Sequence, residues 1–148
     1  MPCLVRVSEA ASLALHSMAL LARYPEKRFS NQAMAEKLDA SSHHLAKVMQ
    51  MLAKAGLVKS QRGPLGGYRL NTTAEDIQLL RIYEAVDGPI SHDECLLHKP
   101  TCNGNICMLG NLVYTLHEQI RNCLANTTLA EFSLNLAMTH APEEASVK

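Results

Sequence analysis

Residues 95–107 read CLLHKPTCNGNIC, which places three of the chain's five cysteines within thirteen residues. Thiolates are soft ligands that favour iron–sulfur clusters, zinc or copper over hard cations. Two neighbouring thiols can instead close a reversible disulfide. The spacing is C-x6-C-x4-C. Zinc sites are commonly built from C-x2-C-like pairs, and no such pair is present. Ferredoxin strings are spaced differently again. Asn103 and Gly104 let the chain curl between its thiols, and His92, Asp93, Glu94 and His98 are the nearest additional donors. A metal centre, a redox thiol pair and no role at all stay open on spacing alone. Cys123 falls on the apolar stripe of a helix and reads as a small buried hydrophobe. Cys3, near the chain start, reads as incidental.

The elements around this loop follow from composition. Hydrophobic residues make up 47% of the 148, aromatics only 4%, and there is no Trp. A core of Leu, Ala, Val, Met and Ile favours helices over a sandwich. No apolar run reaches the length of a membrane span. The start, MPCLVRVSEA, lacks the basic-then-apolar order of a signal peptide. A cytoplasmic protein is expected, in a reducing compartment where clustered cysteines bind metal or do redox chemistry more often than they form structural disulfides. No Ser/His/Asp or Cys/His arrangement and no phosphate loop is marked, so an enzyme is not expected.

The formal charge is zero but divided. Residues 1–72 carry ten Lys/Arg against four acids, a net of +6, and residues 73–148 carry the reverse. A basic half joined to an acidic half suits a polyanion-binding module fused to something else; the plain alternative is segregation of solvated charges.

SEAASLALHSMALLARYPEK predicts a first helix capped by Ser8 and stopped before Pro25, and SNQAMAEKLDA a short second one capped by Ser30. Asp39-Ala40 makes the turn, Asp tolerating the left-handed region. SSHHLAKVMQMLAKAGLV predicts a third helix, with Leu45, Val48, Met49 and Leu52 inward, a polar stripe of His43, Lys47, Gln50 and Lys54 opposite, and Gly56 as its end. LVKSQRGPLGGYRL switches to strand–turn–strand. TTAEDIQLLRIYEAVDGP reads as one helix, capped by Thr73 with Asp76 at the capping-box position and stopped at Gly88-Pro89. The longest helix is expected from about Ile106 to Asn126, with Leu109, Leu112, Val113, Leu116, Ile120 and Leu124 on one stripe. Thr128 with Glu131 opens a last short helix.

This order is that of a winged helix-turn-helix: mainly α, with a small β-hairpin wing and a long C-terminal dimerisation helix. RGPLGGYRL followed by IQLLRIYEAVDG resembles the wing and next helix of the Rrf2 family of bacterial winged-helix regulators. VRVSEAASLALHSMALLA is similar to that family's opening helix, and SSHHLAKVMQMLAKAGLVKS to its recognition helix. The resemblance spans about residues 4–126. It implies a homodimer on a pseudo-palindromic double-stranded DNA operator, dimerised by the long helix and regulated by the loop before it. DNA contacts are expected from Ser41, Ser42, His43, His44, Lys47 and Gln50 on the recognition helix, and from Lys59, Arg62, Gly63, Gly66 and Gly67 in the wing. Tyr68 is expected to pack beneath the wing. Family members carry Tyr where His44 stands and a polar residue where Ala46 stands, so the operator sequence does not transfer.

The cysteine loop resembles that of the family's iron–sulfur-sensing members, in which five residues separate neighbouring cysteines. Here the outer pair keeps that total separation and the middle thiol is displaced by one. The resemblance implies a cluster, 2Fe-2S ahead of 4Fe-4S, on Cys95, Cys102 and Cys107. The fourth ligand would be His98, or Glu9, Ser12 or His16 of the partner subunit. The resulting expectation is a regulator whose operator affinity responds to redox state, nitric oxide or iron–sulfur supply. The alternatives are a thiol-based redox regulator of the same fold without a cluster, or a cluster-carrying redox protein. Five segments are expected: the DNA-binding region 1–72, a linking helix 73–88, the cluster loop 89–106, the dimerisation and terminal helices 107–140, and a disordered tail 141–148.

Overall fold

The computed structural model describes residues 7–90 and 107–136, so Cys3, Cys95, Cys102, His98, most of the cysteine loop and the tail lie outside the described residues. Among the described residues six α-helices and one two-stranded antiparallel sheet are formed: α1 (Glu9–Arg23), α2 (Asn31–Lys37), α3 (Ser42–Lys54), β1 (Val58–Gln61), β2 (Gly67–Leu70), α4 (Leu79–Asp87), α5 (Met108–Asn126) and α6 (Leu129–Asn135). It is the mainly α, winged-hairpin order read from the sequence.

α1 is the central element. Its Ser8 cap accepts from the Ala11 N–H at 2.9 Å. Ala11, Ala14, Met18 and Leu21 recur at helical spacing and are essentially fully buried. The small Ala positions let α3, α4 and α6 pack around it. Ser30 caps α2 by accepting from Ala33 N–H at 3.1 Å. Asp39 takes the left-handed conformation, φ 49°, at the turn into α3. Leu45, Val48, Met49 and Leu52 of α3 are buried as their stripe requires, each burial contributing about 1.5–3 kcal/mol.

The hairpin pairs Val58 with Leu70, Lys59 with Arg69, Ser60 with Tyr68 and Gln61 with Gly67. Phe29 adds a third position to this sheet, exchanging two backbone hydrogen bonds with Tyr68 (3.2 and 2.8 Å). Asn71 ties the hairpin base to the end of α3: its N–H donates to Leu57 O at 3.0 Å and its side-chain amide to Gly56 O at 2.8 Å.

Two sequence expectations need correction. The stretch from Thr73 to Asp87 is not one helix. A 3₁₀ turn, Ala74–Asp76, ends at Ile77, which is extended at φ −105°, ψ 113°. The reason is long-range pairing. Leu79 N–H donates to Thr127 O at 3.0 Å and Leu129 N–H donates to Ile77 O at 2.7 Å, a short ladder that buries Ile77 completely. Thr73 makes no backbone cap; its hydroxyl bonds Asp76 Oδ2 at 2.7 Å instead.

The second correction is Cys123, which is exposed rather than buried. Among the described residues α5 packs chiefly on α4, so much of its surface is exposed there. Leu109 and Leu112 are 54% and 51% exposed. Val113, Leu116 and Ile120 are half-buried, and Leu124 packs against the core of its own chain. α6 opens with the expected capping box: Thr128 and Glu131 each hold the other's backbone N–H. Arg23 closes its far end by donating to Leu136 O at 2.7 Å.

Candidate nucleic-acid interface and the cysteine-bearing helix

α3 owes its position to both its caps and its core stripe. Ser41 accepts from His44 N–H at 3.4 Å, and the Asn31 amide donates to Ser42 O at 2.7 Å, fixing α2 against the start of α3. Burying Leu45, Val48, Met49 and Leu52 turns the opposite face out. Ser41, Ser42, His43, Lys47, Gln50 and Lys54 are all exposed, and Met51 adds an exposed apolar group among them. His44 is half-buried, its Nδ1 lying 3.6 Å from Glu9 Oε1. The helix thus presents a polar, basic surface of groove-reading size.

The wing is acid-free from Leu57 to Asn71. Lys59, Arg62 and Arg69 are exposed and make no ion pair among the described residues. Tyr68, half-buried, packs against the core as expected. Two wing glycines answer to close backbone contacts, one within the wing and one from Phe29. A Cβ at Gly66 would stand 2.2 Å from Gln61 O, and one at Gly67, where φ is +136°, 2.6 Å from Phe29 O. Gly63, at φ +110°, has open space around it, and its carbonyl accepts Gly66 N–H at 2.9 Å to close the tip. Arg69 was missed in the sequence. The strand register of the folded hairpin sets it opposite Lys59.

Cys107 is the one loop cysteine among the described residues. It is the N-cap of α5, and its Sγ accepts the Gly110 N–H at 3.2 Å. An N–H···S contact of this kind suits sulfur that carries negative charge, as a metal-bound thiolate does. On α1, His16 Nδ1 contacts Ser12 O at 2.7 Å and its ring meets Phe132 edge-on, centroids 6.4 Å apart. A carbonyl only accepts, so Nδ1 carries the hydrogen and the neutral ring keeps its lone pair on Nε2. Among the described residues no three of His, Cys, Asp and Glu stand close enough to hold a metal ion. Glu9, His16 and Cys107 of one chain are therefore not assembled together.

Where the loop joins α4, Ser8 Oγ donates to Asp87 Oδ1 at 2.7 Å. Asp87 also receives the Tyr83 phenol. Burial, then the Asp87 charge and this hydrogen bond, hold the Tyr83 pKa above its ordinary value. The start of α1, which touches His44 of α3, is thereby tied to the last residue of α4 before the loop.

A basic helix face and wing on one half, and a capped thiol at the head of an outward-facing helix on the other, define a winged-helix regulator scaffold. Residues 7–134 match the Rrf2 family, described as iron-dependent transcriptional regulators, and the chain belongs to that family. It is 38% identical over 100 residues to the HTH-type transcriptional regulator IscR of Photobacterium profundum, covering 66% of this chain and 57% of that one. It spans between half and three-fifths of the length of the first two such relatives it matches. In three dimensions it is similar to CymR (YrzC), the global cysteine regulator of B. subtilis, at TM-score 0.75 and 26% identity, covering 90% and 99% of the two chains. It is also similar to T. potens IscR, at TM-score 0.69 and 26% identity, covering 86% and 85%. These relatives are named as regulators, not enzymes, in keeping with the sequence expectation. No helix among the described residues is long and apolar enough to cross a membrane.

Proposed function

We propose that this protein binds operator DNA as a homodimer and that its cysteine loop sets the affinity. The observation that carries the reading is the tie from the loop stem to the recognition helix, Asp87–Ser8 followed by Glu9–His44. Ser41, Ser42, His43, His44, Lys47 and Gln50 enter the major groove, and Lys59 and Arg62 meet the backbone or minor groove. Leu109, Leu112, Val113, Leu116 and Ile120 form the dimer seam, whose outward Leu109 and Leu112 stay about half exposed among the described residues.

Cys95, Cys102 and Cys107 hold an iron–sulfur cluster in this reading, and the capped geometry of Cys107 supports it. Such a group supplies redox chemistry and a target for oxidant and nitric oxide. Of the fourth-ligand candidates on α1, His16 is favoured over Glu9 and Ser12, because its Nε2 is left as an acceptor while Glu9 faces His44. His98 is the alternative within the loop. Binding the three thiols pins the loop and hence Asp87; releasing them frees the stem, and a two-fold operator is sensitive to any change in half-site spacing. DNA must favour one state of the loop for the coupling to operate.

Anaerobic purification tests this directly. Visible absorption with bound iron is expected in the parent, with both lost when Cys95, Cys102 and Cys107 are all changed to Ala. A second reading is favoured by the likeness to a global cysteine regulator: a thiol switch without a cluster. It predicts a colourless, iron-free protein whose DNA affinity still responds reversibly to oxidant and dithiol.

A further inference from the structure

We infer that Lys59 and Arg69, facing each other across the wing, form a two-cation seat for a single backbone phosphate. The inference rests on the DNA-binding reading and adds a site to it. It begins with register. Lys59 lies directly opposite Arg69 in the β1–β2 ladder, and directly opposed side chains stand on the same face of a sheet, Cβ atoms about 5 Å apart. Which face is decided by the neighbours. Val58 is buried, and Tyr68 and Leu70 pack against the core, so alternation sends Lys59 and Arg69 to solvent. Both are exposed.

Two like charges in this position destabilise a hairpin. Among the described residues no acidic partner relieves the pair. No Asp or Glu occurs from Leu57 to Asn71, and neither residue makes an ion pair among the described residues. The ladder itself keeps the two side chains together, because Phe29 pairs with β2 on its other edge and Asn71 anchors the base. One phosphate placed between the two cations removes the repulsion and gains two charge-assisted hydrogen bonds. Arg62 stands beyond this pair, past the end of β1, so the wing offers the backbone one contact at its strands and another at its tip.

The experiment measures salt dependence of binding to a short mixed-sequence duplex, since non-specific affinity is the electrostatic term and needs no known operator. With one phosphate seated per wing, K59A/R69A lowers the log–log salt slope of the dimer by about two, and each single variant lowers it by no more than that. A loss near four in the double variant, the sum of two equal single losses, means two separate phosphates and overturns the shared seat. An unchanged slope takes the strands out of the interface. A parent that binds no duplex at low salt defeats the DNA-binding reading itself, a different result from either. R69E supplies the second measurement. It places opposite charges across the ladder, so a thermal midpoint at or above the parent's is expected together with weaker DNA binding. A lowered midpoint would show Arg69 to be a structural contact and overturn the assignment.

Discussion

Single residues in this chain act through a few well-placed polar contacts. Glu131 is one: the Thr128 backbone N–H, then the Thr128 hydroxyl, hold its pKa below the ordinary value. A carboxylate with a depressed folded-state pKa adds stability that is present above its unfolded value and lost as pH falls through the folded one. Unfolding followed at stepwise lower pH should therefore show the Glu131 contribution to the α6 cap lost below the ordinary carboxylate range, and E131Q should flatten that acid limb at a neutral-pH stability slightly below the parent's. Ser8 is another. It caps α1 and donates to Asp87 at 2.7 Å. Ser8→Ala should cost about 1 kcal/mol from the lost cap alone. Asp87→Ala keeps the cap and removes the tie. In the proposed mechanism that variant binds DNA with an affinity that no longer differs between the two states of the cysteine loop; a full difference would take the tie out of the mechanism.

At the scale of elements, the wing is held by steric exclusion as much as by attraction. Gly67 sits at φ +136° with the Phe29 carbonyl where a Cβ would go. Gly67→Ala must move the Phe29 backbone or distort β2, a cost above about 1 kcal/mol. Chemical denaturation measures it, and a variant as stable as the parent would show that the hairpin does not need this close approach. The join between α4 and α6 depends on Ile77 in the same way. It is fully buried and its carbonyl accepts Leu129 N–H, so Ile77→Ala should cost about 2–5 kcal/mol.

For the whole molecule the decisive surface is the outward side of α5. Leu112 is half-exposed in the single chain, so Leu112→Asp leaves the chain's own core intact. In a dimer seam the same aspartate is buried without a partner, which is costly. Sedimentation should show folded monomers of L112D with operator affinity lost. A variant that stays dimeric would move the seam elsewhere.

Much of this architecture is written in short-range pattern. The caps at Ser8, Ser30 and Thr128, the left-handed Asp39 and the α3 core stripe depend on neighbours within a turn or two, so the sequence by itself determines them. The glycine-rich wing is legible for the same reason: no other residue type tolerates its turn. What the tertiary structure decided depends on partners far along the chain. Ile77 leaves helical geometry because Thr127 and Leu129 offer it a ladder. Arg69 becomes a partner of Lys59 only through strand register. Cys123 is exposed because α5 packs chiefly on α4 among the described residues; periodicity marks an apolar stripe but not what covers it. Asp87 meets Ser8 across 79 residues, and no local propensity carries information over that separation, because it exists only once α1 and α4 have packed.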